Sequence, residues 1–485
     1  MRYTEPRAAS ADPSVGFNPS GGYSVRTIGH GPGTTVHFIG VGGAGMSALA
    51  LVLAQRGATV TGSDLKESRY TRALRAAGVH VMVGHAAENV GTPDVVVVST
   101  AVPPNNPELM VSLDRGLDVW PRAKMLAHLA GEQPTVAVAG THGKTSTSSM
   151  IVWMLREMGE DPSFCIGGIV DGIDTNACSG EGGSYVVEAD ESDGSFVYLA
   201  PHIALVTNIE ADHLDHYGSL EEIERVFAEF MDRTNEDGVL LLCGDDRRLV
   251  EIGRESGRRV VTFGRDASCD YRYVIERREN IGTRFTVYAG DAKVCETAVA
   301  TPGEHMVSNA TAAIAVSQIL GLDAESAGRA LATYRGVRRR FDHVDSVAGV
   351  TIVDDYGHHP TEVAATLGAA AGLGYERLVV VFQPHRYSRT EAFATEFGRA
   401  FDHADRVVLM DVYSAGEPPI PGVSGRTIVE SILERRPHAQ VAYLPHRDSV
   451  VPYLSRVVRP GDLVMTVGAG DVTTLGPELA DALRP

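Results

Sequence analysis

Short apolar runs alternate with helical stretches along most of the chain. From Thr34, the apolar run VHFIG leads through a glycine turn into a helical stretch that continues to Gln55, and the runs ATVTGSD and VVVV at 95–98 follow. Buried strands that alternate with helices are typical of parallel sheets covered by helices. The pattern therefore predicts an α/β protein.

The same layout begins again twice further along the chain. PTVAVAGTHGKTSTSSMIVWML repeats the order of apolar strand, glycine turn and helix. A third set of strands, at TIVDDYG, LVVVFQP, RVVLMDVY and LVMTVGAG, follows the arginine cluster at 338–340. We predict three domains, each with a largely parallel sheet flanked by helices: a Rossmann-like domain at 34–132, a P-loop ATPase-like domain at 133–337 and a second Rossmann-like domain at 338–485. Residues 1–33, rich in Gly, Pro, Ser and Ala, are expected to form a flexible tail.

Composition and charge narrow the class of protein. A chain of 485 residues exceeds what one hydrophobic core usually organises, in agreement with several domains. Its net charge of −19 argues against nucleic-acid or anionic-membrane partners. The five cysteines show no CxxC spacing, and no run approaches the ~20 apolar residues that span a bilayer. We expect a cytoplasmic protein without nucleic-acid or membrane partners, either monomer or homodimer.

A glycine-rich loop follows the first strand. The sequence GVGGAG from Gly40 to Gly45 opens a helix, which suits a diphosphate held by backbone N–H groups at the helix N-terminus. Asp64 lies 19 residues beyond Gly45, a spacing that suits a carboxylate on a ribose hydroxyl. Taken alone, the motif would most often mean a dinucleotide cofactor.

A second glycine loop, GTHGKT, runs from Gly140 to Thr145 between a strand and a helix. Its context predicts a phosphate loop in which backbone amides and Lys144 hold β- and γ-phosphates and the Thr145 hydroxyl reaches Mg²⁺. The loop departs from the GxxxxGK[ST] form because Val138 stands at the place of the first glycine.

Two acidic segments follow later strands. EADESD at 188–193 places four carboxylates in six residues, and a divalent cation would relieve their repulsion. The alternative is a solvated acidic loop. DHLDH at 212–216 adds two histidines and two aspartates at another strand end, where a neutral imidazole could bind a metal.

The order of these motifs resembles that of the Mur ligases. HFIGVGGAGMSALA, GTHGKTST, EADESDGSF, TNIEADHLDHY, RRFD, DDYGHHPTE and QPHRYSRT occur in the family's order and spacing between residues 35 and 480. The resemblance implies that the first domain binds a UDP-sugar, that the second binds ATP, and that the third closes over both with the amino acid. It implies ATP and Mg²⁺ as cofactors and UDP-N-acetylmuramate and L-alanine as substrates, joined through an acyl phosphate in peptidoglycan precursor synthesis.

The resemblance also assigns roles to particular residues. Two groups of residues are expected to contact the UDP-sugar. Gly42, Gly43 and Gly45 are expected at the diphosphate, and Asp64 and His85 are expected near the uridine. Those expected at ATP are Gly140, Thr141, His142, Gly143, Lys144, Thr145, Ser146, Asn309, Arg340 and Asp355. The expected metal ligands are Thr145, Glu188 and His213, and the expected catalytic residues are Lys144, Glu188, His213 and Arg340. The expected amino-acid pocket comprises Tyr356, His358, His385, Arg386 and Arg389.

The chain departs from the family pattern in two places. Met306 follows His305 where many relatives have an asparagine, so that one of two expected adenine contacts is missing. Several sibling ligases also have a modified lysine after the metal-binding histidine, whereas no lysine occurs here between Lys144 and Lys293. That region must be stabilised in another way.

Other readings remain open from the sequence. A related ligase could add a different residue, a recycled tripeptide, or glutamate to folate. The GxGxxG loop with Asp64 could belong to a nicotinamide-dependent dehydrogenase, although the phosphate loop would then be unexplained. A catalytically silent UDP-sugar sensor would be expected to have lost Lys144, Glu188 or His213. The general base for the amine is not identified, and His358 and His385 are candidates.

Overall fold

The computed structural model describes residues 28–278 and 282–484. Residues 1–27 of the predicted tail lie outside the described residues. At the start of the described part, Ile28 is buried, and its carbonyl oxygen accepts a hydrogen bond of 3.0 Å from the His128 ring.

Five parallel strands form the first sheet, in the order β3-β2-β1-β4-β5. Because the chain goes to one side of β1 and later returns to the other, the sheet has a switch point between β1 and β4, where α/β proteins bind ligands. The elements are β1 Thr35–Ile39, α1 Ala44–Gln55, β2 Thr59–Asp64, α2 Arg69–Ala76, β3 His80–Val83, β4 Val95–Val98, α3 Pro107–Asp114, β5 Val119–Pro121 and α4 Arg122–Ala130.

Ten strands form the second sheet, in the order β15-β14-β13-β12-β11-β10-β6-β9-β7-β8. Its centre, from β12 to β7, is parallel, whereas β13–β15 and the β7–β8 pair are antiparallel. The strands are β6 Thr135–Ala139, β7 Ser163–Cys165, β8 Ala177–Cys178, β9 Tyr185–Glu188, β10 Ile203–Val206, β11 Val239–Cys243, β12 Arg259–Gly264, β13 Tyr271–Arg278, β14 Thr283–Ala289 and β15 Ala292–Val299. The helices are α5 Lys144–Glu157, α6 Leu214–Tyr217, α7 Leu220–Asp232, α8 Arg247–Glu255, α9 Glu304–Ile319 and α10 Ala324–Leu331.

Six strands form the third sheet, in the order β16-β17-β21-β18-β19-β20, in which only the β16–β17 pair is antiparallel. The strands are β16 Asp342–Val347, β17 Val350–Asp355, β18 Arg377–Phe382, β19 Arg406–Leu409, β20 Gln440–Tyr443 and β21 Asp462–Val467. The helices are α11 Pro360–Ala371, α12 Tyr387–Ala392, α13 Ala394–Ala400, α14 Gly425–Arg435, α15 Val450–Val457 and α16 Leu475–Leu483.

Buried apolar side chains cover both faces of the second and third sheets. One cluster runs from the first sheet, including Phe38, to one face of the second sheet at Ala137 and Ala139. The other face of the second sheet packs on α5 and α9, and separate clusters lie on the two faces of the third sheet. The first and second domains therefore share a continuous core. Within the described ranges, none of the helices has the length and apolar character that a membrane crossing requires.

The predicted fold class, three α/β domains with largely parallel sheets, is confirmed. The predicted boundaries at 132 and 338 lie between α4 and β6 and between α10 and β16. The antiparallel extension from Tyr271 to Val299 was not predicted from the sequence. Its strands are partly exposed on one face, so they lack the continuous apolar runs by which the parallel strands were recognised.

Candidate functional site

A cavity of about 420 Å³ lies where the three domains meet. The second domain contributes the loop after β6, the end of β9 and the loop around His213, and the third contributes the segments near Arg340 and Tyr356. Since the carboxyl ends of parallel strands share one edge of a sheet, loops that are distant in sequence converge here.

The loop from Gly140 to Thr145 has the backbone geometry of a phosphate cradle. Gly140 and Gly143 have φ angles of 125° and 85°, which side chains rarely adopt. A Cβ atom on Gly140 would lie 2.1 Å from the Thr207 hydroxyl oxygen, so this position requires glycine. The helix α5 begins at Lys144, and its free N–H groups face the cavity side of the loop.

Lys144 is held inside the protein by a neighbouring carboxylate. Its Nζ donates to Glu191 Oε1 at 2.8 Å and to the carbonyl oxygens of Gly140 and Thr141 at 2.6 and 3.1 Å. Burial raises the pKa of Glu191 to about 7. Its second oxygen, Oε2, has no hydrogen-bond partner among the described residues. A phosphate that binds Lys144 must therefore replace Glu191.

The predicted metal ligands Thr145, Glu188 and His213 line the same cavity. The Thr145 hydroxyl donates to Glu188 Oε1 at 3.1 Å, and the Gly167 N–H donates to Glu188 Oε2 at 2.8 Å. His213 has a φ of 52°, and burial lowers the pKa of its imidazole. A hydroxyl, a carboxylate and a neutral imidazole form a donor set that suits a divalent cation.

The other carboxylates of the acidic segment have separate partners. Asp190 pairs with Arg122 of α4 at 3.2 Å, and Asp193 Oδ1 accepts a hydrogen bond from the Ser195 N–H at 3.0 Å. Since Glu191 pairs with Lys144, these three carboxylates of the segment each have a different partner. The repulsion predicted from the sequence is thus reduced without a metal.

Arg340 enters the cavity from the third domain. Its guanidinium lies 3.3 Å from Glu362 Oε1, and its Cζ lies 5.1 Å from the centre of the Tyr356 ring. The Cζ atom of the neighbouring Arg339 lies 4.9 Å from the centre of the same ring, and Arg339 pairs with Asp354 at 3.2 Å. Arg340 thus lines the same cavity as the phosphate loop and Tyr356.

Two arginines of the predicted amino-acid pocket join the third domain to the second. Arg389 donates to Asp212 through Nε at 3.2 Å and through Nη2 at 2.9 and 3.2 Å, and both side chains are buried. Arg386 pairs with Asp215 at 3.0 Å, and its side chain is one-third exposed. Because Asp212 precedes His213, the position of the third domain is coupled directly to the predicted metal site.

His358 and His385 lie beside these arginines, with ring centres 5.6 Å apart. Burial lowers the pKa of His358 to about 3 and that of His385 to about 4. Both imidazoles are therefore neutral at pH 7. The His385 ring also stacks on Tyr413 at 5.8 Å.

A second cavity, of about 200 Å³, lies on the other side of the phosphate loop. It is lined by predicted ATP contacts, among them Ser146, Asn309 and Asp355. The Asn309 amide lies so close to Gly143 that a Cβ atom there would be 3.3 Å from its oxygen. Burial raises the pKa of Asp355 to about 6. The expected base and ribose contacts thus share one pocket next to the phosphate loop.

A third cavity, of about 310 Å³, separates the glycine loop of the first domain from the end of β9. Gly43 and Gly45 line it, together with Arg122. The Gly42 N–H instead donates to Asp64 Oδ2 at 2.8 Å. His85 Nδ1 lies 2.9 Å from the Ser63 hydroxyl oxygen, and neither Asp64 nor His85 lines the three cavities.

Sequence reasoning missed Arg122, Glu191 and Asp212. Arg122 directly follows β5, and a Cβ atom on Gly45 would lie 3.1 Å from its side chain. Its place at the carboxyl end of a parallel strand could have indicated it. Glu191 and Asp212 lie inside motifs that were recognised, but their partners are 47 and 177 residues away.

Family models match nearly the whole described chain. They are the Mur ligase family catalytic domain at residues 35–133, the Mur ligase middle domain at 138–317 and the Mur ligase glutamate ligase domain at 339–470.

Curated relatives and solved structures give the same result. The chain is 46% identical to a UDP-N-acetylmuramate–L-alanine ligase of Syntrophotalea carbinolica, over 93% of this chain and 98% of that one. It is 47% identical to the ligase of the same name from Saccharopolyspora erythraea, over 92% of each. The structure of UDP-N-acetylmuramate-alanine ligase from Thermotoga maritima matches with a TM-score of 0.78 at 30% identity, over 92% of this chain and 98% of that chain. A murein peptide ligase from Psychrobacter arcticus matches with a TM-score of 0.70 at 25% identity, over 93% and 99%.

Proposed function

This chain belongs to the Mur ligase family, and we propose from that premise that it joins L-alanine to the lactyl carboxylate of UDP-N-acetylmuramate at the expense of ATP. The reaction is a step of peptidoglycan precursor synthesis. One observation carries the proposal: the phosphate-loop lysine, the arginine of the third domain and the neutral histidines beside α12 face a single cavity. That cavity can bring a nucleotide, a carboxylate and an amine together.

Joining an amine to a carboxylate in water is unfavourable, so the carboxylate first attacks the γ-phosphorus of ATP, which gives an acyl phosphate and ADP. The amine then attacks the acyl carbon, and phosphate leaves. Lys144 and Arg340 neutralise the charge of the γ-phosphoryl group, and Lys144 leaves Glu191 to do so. Thr145, Glu188 and His213 would hold Mg²⁺, which supplies further positive charge at the phosphates. Closure of the third domain through Arg389 and Asp212 excludes the water that would hydrolyse the intermediate.

The UDP-sugar would lie in the cavity between the glycine loop and β9. Gly43, Gly45 and the N-terminus of α1 offer backbone N–H groups to the diphosphate. We assign Arg122 a role here that the sequence analysis did not include, since it is the arginine that lines this cavity. Asp64 and His85 remain predicted uridine contacts.

Alanine would enter beside α12, where its ammonium group must lose a proton before it attacks. Of the two arginines, Arg386 is the one we assign to the α-carboxylate, because it is partly exposed and Arg389 is fully engaged with Asp212. His358 and His385 remain the candidate bases because they line this cavity, although burial lowers their pKa values and makes both weak bases in the unliganded protein. If His358→Ala and His385→Ala both keep the turnover rate at saturating alanine, neither is the base.

The test is phosphate release by the purified protein with ATP, Mg²⁺ and UDP-N-acetylmuramate. L-alanine, glycine, L-serine and the L-alanyl tripeptide are compared as acceptors, because one small group is worth only ~1–3 kcal/mol of discrimination. Lys144→Ala is expected to abolish release, and Lys293→Ala, which removes an exposed lysine paired with Glu296, serves as the matched control.

Release with L-alanine that is lost in Lys144→Ala supports the proposal. Release with the tripeptide alone would move the chain to the murein peptide ligases, and the absence of release with every acceptor would contradict ligation. A cytoplasmic location remains a prediction from the sequence.

A further inference from the structure

Three side chains that suit a softer metal meet at the boundary between the second and third domains. His142 belongs to the phosphate loop, Glu210 follows β10, and His359 caps the N-terminus of α11. Each offers one ligand atom, and these atoms lie within 4.8 Å of one another. The three residues share no member with Thr145, Glu188 and His213. Two imidazoles and a carboxylate are a donor set typical of zinc.

His142 is oriented for such a ligand. Its Nε2 is buried, has no hydrogen-bond partner among the described residues and lies 3.5 Å from Glu210 Oε2. Its Nδ1 lies 3.5 Å from Glu362 Oε1. A carboxylate on one ring nitrogen fixes the orientation of a histidine whose other nitrogen binds metal. Although burial opposes the charge, the two glutamates raise the pKa of His142 to about 9.

His359 completes the set from the third domain. Its ring lies 4.7 Å from that of His142, centre to centre. Its Nε2 contacts the Ala211 carbonyl oxygen at 3.3 Å, and its Nδ1 accepts a hydrogen bond from the Thr361 N–H at 3.4 Å. Both contacts are long, so a metal bond at Nε2 replaces weak interactions.

The three ligand atoms, now within 4.8 Å of one another, need to move only a short distance to bind a zinc ion. Zinc bonds of about 2.0–2.1 Å in tetrahedral geometry bring ligand atoms to about 3.3 Å from one another. The Glu210 side chain is 38% exposed, and its rotation towards the two rings would break the 2.8 Å hydrogen bond that its Oε2 accepts from the Thr361 hydroxyl. His142 and Glu210 also line the nucleotide cavity.

We propose that His142, Glu210 and His359 form a binding site for zinc or a similar soft divalent cation. Because two of its ligands belong to the second domain and one to the third, an occupied site ties α11 to the phosphate loop. It also narrows the nucleotide cavity. Zinc therefore acts at this site as an inhibitor of nucleotide entry, separate from the magnesium chemistry.

The first measurement is zinc binding by the full-length, nucleotide-free protein in competition with a chromogenic chelator. We expect one zinc ion per chain at this site, and an affinity at least ~10-fold weaker in His359→Asn and in Glu210→Gln. Asparagine is a good N-cap residue, so His359→Asn retains the start of α11. His343→Asn, an exposed histidine that contacts Ser346, is the matched control and is expected to bind like the wild type.

Hydrogen exchange with buffered free zinc locates the ion. Zinc is expected to slow amide exchange in 140–143, 207–213 and 357–362 of the wild type and to leave these segments unchanged in His359→Asn. Equal zinc affinity in the wild type and both ligand variants would overturn the proposal, as would protection confined to other segments. Absence of zinc binding at ~100 μM free metal would also overturn it.

Discussion

Glu108, a fully buried carboxylate in the first turn of α3, is predicted to stabilise the first domain by about 3 kcal/mol relative to glutamine. Its oxygens accept hydrogen bonds from the Ser63 hydroxyl, the Asn89 amide, the Ala86 N–H at 3.1 Å and the His37 ring at 3.3 Å. Burial alone would raise its pKa, but these hydrogen bonds lower the pKa to about 2.

The size of the predicted stabilisation by Glu108 follows from this lowered pKa. A fall from the ordinary value of 4.5 to about 2 corresponds to about 3 kcal/mol, at ~1.4 kcal/mol for each pKa unit. Because the folded pKa is lowered, this stabilisation is present above pH 4.5 and is lost as the pH falls towards 2. Glu108→Gln, which has nearly the same shape, should therefore be less stable by about 3 kcal/mol at pH 7 and by about 2 kcal/mol at pH 3.5.

The assay is urea unfolding followed by tryptophan fluorescence. The chain has two tryptophans, and Trp120 is buried in the first domain on β5. A Trp153→Phe background removes the other, so that the fluorescence reports on the surroundings of Trp120, which belongs to the core shared by the first and second domains.

Glu67→Gln is the control, because Glu67 forms only a half-exposed ion pair of 3.3 Å with Arg75 in the same domain. Its effect should stay below ~0.5 kcal/mol. A difference between Glu108→Gln and the parent below ~1 kcal/mol at pH 7, or one that does not depend on pH, would refute the reasoning.

Three further predictions concern the site between the domains. Arg389→Lys loses the two-nitrogen contact of the guanidinium with Asp212, so kcat/KM should fall ~100-fold. A double-mutant cycle with Asp212→Asn should give a coupling free energy above ~2 kcal/mol, and additive effects of the two substitutions would contradict the pairing. Glu191→Gln frees the phosphate-loop lysine, so a fluorescent ATP analogue should bind more tightly; weaker binding would mean that Glu191 helps to hold the nucleotide. Gly140→Ala places a Cβ atom against Thr207 and should abolish nucleotide binding, measured by the same titration; unchanged affinity would contradict the loop geometry.

Local motifs were predictable because their parts are contiguous in sequence. At the loop from Gly140 to Lys144, and at the loop from Gly40 to Gly45, a strand, a glycine turn and a helix N-terminus follow one another directly in the chain. The roles of a glycine at a positive φ and of a lysine in the first turn of a helix depend on the local backbone conformation. The three α/β units and the phosphate loop therefore appear in the sequence pattern.

The partners of charged side chains were decided only by the tertiary structure. The sequence placed Arg389 in an arginine block suited to a carboxylate, but the packing of the third domain on the second presents it with Asp212, 177 residues away. In the same way, Lys144 meets Glu191 only because β6 and β9 are neighbours in the second sheet. A guanidinium or an ammonium group binds whichever carboxylate the fold brings within reach. The sequence by itself thus determined which chemical groups are present and in which local frames, while the packing of sheets and domains decided which of them face one another.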